Sequence, residues 1–269
     1  MLVTEKPKEK LLEKIEPVAE FEVSNILLTQ PQVLRTRLEQ SGYLFFRGLL
    51  NKEALLNVRS EILTLCQENG WIKQGTRLMD GLFRGGAIPD YSSEYMTMYR
   101  KLIKLESFNA YSRSPEILEL FKSIFESEVL AHPRNIARVT FPNHFFTTQP
   151  HQDFHYIRGT PETYTAWIPA GDCARELGGV AVLEGSQRLG FMEHESAIGA
   201  GGSGIRTGKM GLRWLFSDYK LGDVVLFHSH TIHGALDNAT PDQMRVSLDF
   251  RYQRAGDEID PSSLKPHYG

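Results

Sequence analysis

The chain of 269 residues has little cysteine: Cys66 and Cys173 are its two thiols, and no Cys-x-x-Cys pair occurs. Two cysteines cannot build a disulfide framework, and a zinc site made of thiolates is not expected. The sequence also lacks the His-Glu-x-x-His motif of many zinc proteases and the Gly-Lys-Ser/Thr ending of a phosphate-binding loop. These absences exclude the disulfide-rich, zinc-protease and phosphate-loop classes.

Neither an excess of one charge nor a long apolar run is present. Lysine and arginine number 30, aspartate and glutamate 33, and the formal net charge is -3. This balance predicts no nucleic-acid-binding face, and no apolar run approaches the roughly 18 to 20 residues of a membrane span. The N-terminus, MLVTEKPKEKLLEKIEP, lacks the apolar core of a signal peptide. We therefore predict a cytoplasmic protein that binds a small molecule rather than nucleic acid or membrane; no pattern indicates an oligomeric state.

The length suits one large domain with a short extension. We predict a charged leader over residues 1–20 and a single domain over 21–269. Within that domain, residues 21–130 are expected to be rich in helices and residues from about 131 to 255 rich in strands. Helices followed by strands indicate an α+β protein with helices packed on one side of a β-barrel.

The helical part contains one well-defined start signal. Asn51 can cap a helix that follows a short strand at Tyr43 to Phe46. Two further helices are predicted over residues 93–107 and 115–125. The apolar face of the capped helix is predicted to consist of Leu55, Leu56, Val58, Ile62, Leu63 and Cys66.

The second half consists of short β-rich runs separated by Gly, Pro and Asp, which is typical of a barrel or a sandwich. A glycine-rich segment over residues 199–211 interrupts them. We interpret it as a flexible loop near the barrel mouth, either a lid or an uninvolved surface insertion. The runs are ARVTFP, TYTAWIPA, GGVAVLEG, GDVVLFHS and RVSLDFRYQ.

His151 and Asp153 in PHQDFHY are the sharpest local signal for a metal site. On a strand, residues two apart project to the same face. One imidazole and one carboxylate make two thirds of a facial triad, which leaves three metal positions open for reactants. Such a pair alone is also typical of an ordinary surface contact. The third ligand would come from His228, His230 or His233.

His155 is a rival ligand, because it shares the face of Asp153 if the strand continues. Alternate residues lie about 6.6 Å apart along a strand, so three successive ones do not easily reach one metal ion. We therefore interpret His155 as a residue of the substrate pocket or of the structural framework.

Arg245 and Ser247 also lie two residues apart on a predicted strand. A guanidinium can form a paired, charge-assisted contact with a carboxylate, and a hydroxyl can add a further hydrogen bond. This pattern favours binding of a carboxylate ligand; the alternative is an ion pair of Arg245 with Asp249.

An anionic or amphipathic small substrate is predicted from residues around the expected pocket. Arg84 and Arg158 could supply positive charge, and Phe154 an apolar wall. Each could equally be a surface or framework residue. The same roles are open to Arg134, Arg138, Phe145, Phe146 and Tyr156.

From about Ser41 to Tyr252, the chain resembles the phytanoyl-CoA dioxygenase-like family of 2-oxoglutarate-dependent oxygenases. The resemblance lies in the order and spacing of several pieces, which Asn238 and Arg245 complete. The pieces are GYLFFRGLLNKEAL, HQDFHY, TAWIPAGD, LGGVAVLEGSQRLG and GDVVLFHSHTIHG.

The resemblance implies a double-stranded β-helix fold flanked by N-terminal helices. It implies that His151, Asp153 and His233 bind iron(II), which selects His233 over His230. Arg245 matches the arginine that anchors 2-oxoglutarate, and Trp167 a tryptophan that lines the co-substrate pocket.

Two positions set this chain apart within the family pattern. Several members carry a hydroxyl residue two positions after the second histidine ligand, where this chain has Ala235. Ser247 is expected to supply that contact instead. Asp153 is retained, which argues against a halogenase, because halogenating relatives replace this carboxylate with a small residue.

The predicted activity is that of an iron(II)- and 2-oxoglutarate-dependent dioxygenase. It would hydroxylate an unactivated C–H bond of a small molecule with O2 and release succinate and CO2. The alternatives are desaturation, cyclisation or epimerisation on the same scaffold, or a non-catalytic, metal-bearing barrel that binds a ligand. Nothing in the sequence selects a particular substrate.

Overall fold

The computed structural model describes residues 14–86, 88, 92–142 and 148–268. Helices dominate the described part before residue 129, and strands the part after it, so the protein is a mixed α and β structure as predicted. The helices are α1 (Pro31–Ser41), α2 (Lys52–Glu68), α3 (Ser93–Leu102), α4 (Glu106–Tyr111), α5 (Pro115–Phe125) and the single turn α6 (Phe154–Ile157).

The strands form antiparallel sheets. They are β1 (Tyr43–Phe46), β2 (Val129–Ala131), β3 (Ile136–Thr140), β4 (Tyr164–Pro169), β5 (Val180–Leu183), β6 (Glu195–Ser196), β7 (Ser203–Gly204), β8 (Trp214–Leu215), β9 (Val224–His228), β10 (His233–Ala235) and β11 (Arg245–Arg254). Among the described residues, the large sheet has the order β1-β9-β4-β11-β2, with β3 also on β11, and a small sheet has the order β10-β5-β8.

Helix α2 begins as predicted, because the Asn51 side chain accepts a hydrogen bond from the Ala54 amide at 3.0 Å. Its predicted apolar face is buried with one exception. Leu56 is 39% exposed, whereas Leu55 and Val58 are at most 1% exposed. Leu56 follows Leu55 directly, and a step of one residue turns a helix by about 100° and carries the side chain out of the buried stripe.

The helix predicted over residues 93–107 is wrong as one unit, because α3 and α4 are separate. Leu105 adopts an extended conformation between them, with ψ 126°. The Asn109 side-chain amide donates to the carbonyls of Ile103 and Leu105 at 2.8 and 2.9 Å. A local side chain thus satisfies backbone groups at the break, which lets the chain turn there.

Strand β11 separates two environments by simple alternation. Its apolar residues belong to the same hydrophobic cluster as the buried faces of α1 to α5. The five residues that alternate with them are polar and buried on the opposite face. The apolar set is Val246, Leu248, Phe250 and Tyr252. The polar set is Arg245, Ser247, Asp249, Arg251 and Gln253.

The small sheet covers the other side of the large sheet. Val180 and Val182 of β5 share a second hydrophobic cluster with Phe45, Trp167 and Phe227 of the large sheet. The order of layers is therefore helices, large sheet, small sheet. The polar face of β11 points into the space between the two sheets.

The predicted leader lies partly outside the described residues, which begin at Lys14. The described end of the leader packs against the rest of the protein. Ile15 is 8% exposed, and the Val18 amide donates to the Trp214 carbonyl at 3.0 Å. The division at residues 20 and 21 stays a prediction. In the described part of the chain, no helix is long and apolar enough to cross a membrane.

Candidate metal centre

His151 and His233 are joined by their backbones. The His151 amide donates to the His233 carbonyl at 2.9 Å, and the reverse bond measures 3.0 Å. His233 begins β10, whereas Asp153 is the residue before α6 and has helical angles, φ -60° and ψ -30°. The pair His151 and Asp153 therefore does not lie on a continuous strand as predicted. The chain leaves the strand direction at Asp153, and this turn brings the carboxylate beneath both imidazoles.

Backbone carbonyls fix both imidazole rings. His151 Nδ1 donates to the Gln149 carbonyl at 2.8 Å, and His233 Nδ1 donates to the Thr231 carbonyl at 3.0 Å. A carbonyl only accepts, so the proton lies on Nδ1 and the Nε2 lone pair is free for a metal. The two Nε2 atoms lie 3.7 and 3.8 Å from Asp153 Oδ1.

Asp153 is 2% exposed and is held by two residues of the large sheet. Thr165 Oγ1 and Arg251 Nε both donate to Oδ2, the latter at 3.3 Å, and Arg251 Nη2 contacts Oδ1 at 3.2 Å. Burial by itself would raise the pKa of Asp153, but the Arg251 charge and the two histidines hold that pKa well below its usual range. The carboxylate is thus ionised and presents Oδ1 to the histidines.

The three side chains fit a metal ion. Their ligand atoms all lie within 4.8 Å of one another. Metal–nitrogen and metal–oxygen bonds of about 2.1 Å place neighbouring ligands about 3 Å apart, so shifts of less than about 1 Å would close the site. Burial, with a smaller effect from the neighbouring His151, lowers the pKa of His233 to about 3, so the His233 imidazole is neutral at physiological pH. Two imidazole nitrogens and one carboxylate oxygen are the donor set of a facial triad.

Arg245 lies buried beside this site, 3% exposed. Its Nη1 donates to the Gly178 carbonyl at 2.7 Å and its Nη2 to Thr140 Oγ1 at 2.8 Å. Its Nε has no hydrogen-bond partner within the described residues. Asp249, the alternative partner, pairs instead with Arg138 at 3.0 Å. The guanidinium is therefore fixed in place by neutral groups and keeps a free donor.

Two adjoining cavities contain these residues. The first, here called the metal pocket, is lined by Arg138, Thr148, His151, Asp153, Thr165, Trp167, Val180, Phe227, His233, Gly234, Ala235, Arg245, Asp249 and Arg251. The second, the outer cavity, shares Arg138, Thr148, Ala235 and Arg245 with it and adds Tyr95, Met96, Tyr99, Ile136, Ala137, Val139, Thr140, Phe141, Ala200, His267 and Tyr268.

The predicted co-substrate residues are found close by. Trp167 lines the metal pocket, with its ring against Tyr219 at 4.7 Å. Ala235 lines both cavities, so no hydroxyl is available at that position. Ser247 is fully buried, and its Oγ has no partner among the residues described. It is not one of the residues that line the pocket, so its contact with a ligand stays a prediction.

The competing histidines lie away from the ligand cluster. His155 is on α6 and stacks on His194, with ring centroids 4.0 Å apart. His230 packs its ring edge-on against Phe154 at 4.8 Å, and His228 Nε2 faces Glu162 Oε1 at 3.5 Å. The turn at Asp153 is what removes His155 from the metal-facing side.

Of the residues predicted for substrate binding, Arg138 lines both cavities, whereas Arg84, Phe154, His155 and Arg158 line neither. Arg158 is exposed and lies over the Phe191 ring, 5.5 Å from its centroid. Phe154 also packs on Phe191, at 5.4 Å. Arg84 is exposed and lines a separate surface depression together with Gly70 and Ile72. Phe145 and Phe146 lie outside the described residues.

The sequence interpretation missed Arg251 and Thr165, which both contact Asp153. They face each other across β11 and β4. A signal was present: Arg251 is six residues after Arg245, so an even spacing puts both on one face of a strand. No comparable signal marks Thr165, because threonine is common on any strand.

Part of the glycine-rich segment 199–211 is ordered against the metal site. Ser203 Oγ lies 2.8 Å from the Tyr156 hydroxyl, and the Ile205 amide donates to the Pro150 carbonyl at 2.7 Å. Ala200 lines the outer cavity. The segment therefore lies at the cavity mouth and is not an uninvolved insertion; its action as a lid stays a prediction.

Two solved structures share this fold. The non-haem α-ketoglutarate-dependent epimerase SnoN from nogalamycin biosynthesis has a TM-score of 0.61 and 18% identity, over 88% of this chain and 87% of that chain. The α-ketoglutarate-dependent carbocyclase SnoK from the same biosynthesis has a TM-score of 0.59 and 19% identity, over 92% and 90%. At this identity the likeness shows a common fold.

Sequence comparison identifies the family. A 1-deoxypentalenic acid 11-beta-hydroxylase of Streptomyces arenae is 29% identical over 256 residues, 89% of this chain and 87% of the relative. Human peroxisomal phytanoyl-CoA dioxygenase is 25% identical over 236 residues, 82% and 67%. The profile described as Phytanoyl-CoA dioxygenase (PhyH) matches residues 38–247. The predicted family and enzyme class are thus confirmed: the chain belongs to the phytanoyl-CoA dioxygenase family of oxygenases.

Proposed function

We propose that this protein hydroxylates an unactivated C–H bond of a small, largely apolar molecule, using iron(II), 2-oxoglutarate and O2. The observation that carries the proposal is the junction of three metal-ligand atoms with a buried arginine that keeps a free donor. A buried polar atom without a partner calls for a ligand or water. Here a facial triad lies beside a guanidinium that keeps a free N–H donor. This arrangement fits a metal ion that is chelated by an anionic co-substrate.

His151 and His233 would hold iron through Nε2, and Asp153 through Oδ1. Because Thr165 and Arg251 Nε occupy Oδ2, the carboxylate offers one oxygen and leaves three coordination positions for reactants. Bound iron(II) supplies the site where O2 is reduced while 2-oxoglutarate is oxidised to succinate and CO2.

Arg245 would bind the far carboxylate of 2-oxoglutarate through Nε, with Ser247 as the additional donor in place of a hydroxyl at Ala235. The Gly178 carbonyl and Thr140 hold the guanidinium, so little freedom is lost on binding. Trp167, Val180 and Phe227 form the apolar wall of the pocket and exclude water from the reacting atoms.

The outer cavity would hold the substrate, because it opens onto the metal pocket through shared residues. Tyr95, Tyr99 and Phe141 give it an aromatic wall. Arg138, whose side chain is 30% exposed, lies at the junction and could contact an anionic group. The hydroxylase relative acts on an acid by its name, which agrees with a basic residue at the junction.

The finer architecture belongs to the same proposal. We infer that the large and small sheets together form a double-stranded β-helix and that residues 21–269 are one oxygenase domain. The backbone bridge of His151 to His233 adds one pairing to β10 of the small sheet, and the second hydrophobic cluster joins the small sheet to the large one.

Anaerobic titration with iron(II) and then 2-oxoglutarate tests the site directly. We expect a weak visible charge-transfer band in the wild type and its loss in Asp153→Ala, together with loss of succinate release. Asp172→Ala is the matched control, since Asp172 is an exposed acid paired with Lys220. A full band and full turnover in Asp153→Ala would contradict the assignment.

Product analysis separates hydroxylation from the other outcomes. With isotopically labelled O2, hydroxylation transfers one labelled oxygen atom to the product, whereas epimerisation, cyclisation and desaturation leave the product unlabelled. The epimerase and carbocyclase folds make this measurement necessary. An unlabelled product at full 2-oxoglutarate consumption would overturn hydroxylation while leaving the iron site intact.

A further inference from the structure

Arg251 is the second buried arginine of the metal pocket, 4% exposed. Two of its nitrogens are taken by the metal-binding carboxylate: Nε contacts Asp153 Oδ2 at 3.3 Å, and Nη2 contacts Asp153 Oδ1 at 3.2 Å. The third nitrogen, Nη1, is buried and has no partner in the part of the chain that the structure describes. One residue thus holds a metal ligand and keeps a donor unused.

The position of Asp153 limits what Nη1 can contact. The guanidinium is planar and rigid, so Nη1 lies within a few ångströms of the carboxylate that the other two nitrogens bind. A ligand atom that accepts from Nη1 would therefore lie within several ångströms of Asp153, in the pocket that Arg251 lines. Arg245, in contrast, is six residues away on the same strand face, about 20 Å along the backbone between Cα atoms.

We propose that Arg251 donates Nη1–H to the chelating carboxylate of 2-oxoglutarate while it positions Asp153 with Nε and Nη2. This inference rests on the proposed function and extends it to the chelating end of the co-substrate. Arg245 and Arg251 line the same pocket, and they would then bind the two ends of one dianion with two positive charges.

A purely structural role explains the contacts to Asp153 but not the free donor. Thr165 already supplies a hydrogen bond to Oδ2. An arginine that served only as a counter-ion would be costly here, because an unsatisfied buried donor loses the free energy of its hydration. Binding of an anionic oxygen to Nη1 removes this cost in the liganded enzyme.

Ligand truncation tests the proposal without turnover. The iron(II) protein is titrated anaerobically with 2-oxoglutarate and with 2-oxopentanoate, which keeps the chelating end and lacks the far carboxylate. Dissociation constants come from the charge-transfer band at saturating metal, and metal affinity is measured separately. Arg251→Gln should weaken both 2-oxo acids by roughly 10- to 100-fold, whereas Arg245→Gln should weaken 2-oxoglutarate alone.

Two control variants complete the design. Arg254→Gln changes an arginine of the same strand that contacts the Phe125 carbonyl outside the pocket, and it should bind both acids as the wild type does. Thr165→Val removes the other contact to Asp153 and should alter metal affinity alone. Arg251→Lys keeps the positive charge but loses the paired N–H donors of the guanidinium. Its affinity for both 2-oxo acids should be intermediate, provided that thermal unfolding shows a folded protein.

Several results would overturn the inference. Unchanged affinity for both acids in Arg251→Gln, or wild-type affinity in folded Arg251→Lys, would show that Nη1 makes no contact. Loss confined to 2-oxoglutarate would place Arg251 at the far carboxylate. Absence of the band in the wild type would instead contradict the proposed function, so the two failures are distinguishable.

Discussion

The two faces of β11 differ in what they do for the molecule. The face with Leu248 and Phe250 packs against the helices in one hydrophobic cluster. The face with Arg245 and Arg251 points at the metal pocket and carries buried charge. The ten-residue strand β11 therefore contributes to both the hydrophobic core and the metal pocket, because its side chains alternate between two faces.

The comparison teaches that stability and ligand binding can be changed separately in this strand. A substitution on the apolar face removes packing and leaves the pocket lining in place. A substitution on the polar face removes a ligand contact, and its cost in stability depends on whether the group already has a protein partner.

Phe250→Ala tests the apolar face. Phe250 is fully buried, with ring contacts to Phe108 at 5.5 Å and Tyr111 at 6.4 Å. Its truncation should lower the free energy of unfolding by about 3–5 kcal/mol, because a cavity remains. Below the unfolding temperature, 2-oxoglutarate affinity should stay near wild type. Phe191→Ala, at a side chain that is 42% exposed, is the control and should cost far less.

Denaturant unfolding checks the Phe250 prediction, and the charge-transfer titration checks ligand affinity in the same preparation. A large loss of affinity in folded protein would mean that the two faces are coupled. A loss of stability no greater than that of Phe191→Ala would mean that the apolar face is poorly packed.

Acidification tests the polar face through His132, whose Nε2 donates to Gln253 at 2.7 Å. Burial lowers the pKa of His132 from 6.5 to about 4, against the opposing effect of this hydrogen bond. The unfolded chain therefore binds a proton first as pH falls. Stability is fully present above about pH 6.5 and is lost through the window down to about 4, on the order of 2 kcal/mol by pH 5.

The measurement is the free energy of unfolding at pH 7 and pH 5 for the wild type and His132→Gln. Glutamine can keep a donor to Gln253 but does not titrate, so the variant should lose less stability between the two pH values. An identical pH dependence in both proteins would rule out His132 as a source of acid sensitivity.

Ser247→Ala should have the smallest effect. Ser247 Oγ has no partner within the described chain, so its loss should change the free energy of unfolding by less than about 0.5 kcal/mol. If Ser247 replaces the hydroxyl that Ala235 lacks, 2-oxoglutarate affinity should fall by roughly 5- to 10-fold, as for one hydrogen bond. Ser263→Ala is the control, because Ser263 bonds the Ile157 carbonyl away from the pocket. Unchanged affinity would remove Ser247 from the binding site.

The local sequence pattern predicted helices and strands well where a single hydrophobic periodicity dominated a segment. The helix at Pro115–Phe125 and the strand at Tyr43–Phe46 have the predicted bounds. Both follow from apolar spacing and clear end signals. The break between α3 and α4 was not predicted, because it depends on Asn109, which satisfies carbonyls four and six residues earlier.

The three residues predicted as metal ligands lie together in the structure, but the geometric reason for expecting this was partly wrong. Same-face strand geometry does not join His151 to Asp153, because the chain turns into α6 between them. Arg84 and Arg158 were proposed for the substrate pocket from charge alone and lie elsewhere. The charge of an arginine does not show which way its side chain points, and this orientation decides whether the arginine contacts a ligand.

The sequence by itself determined the donor chemistry: two histidines and one carboxylate, an arginine for a carboxylate ligand, and a strand-rich half to carry them. Only the fold shows that His233 lies beside His151 and Asp153 and that Arg251 and Thr165 contact Asp153. It also decided that aromatic residues of α3 and the C-terminal segment line the outer cavity. The reason is physical: local periodicity follows from neighbours in the chain, whereas a ligand pocket forms where distant segments pack, and only their packing fixes the distances between side chains.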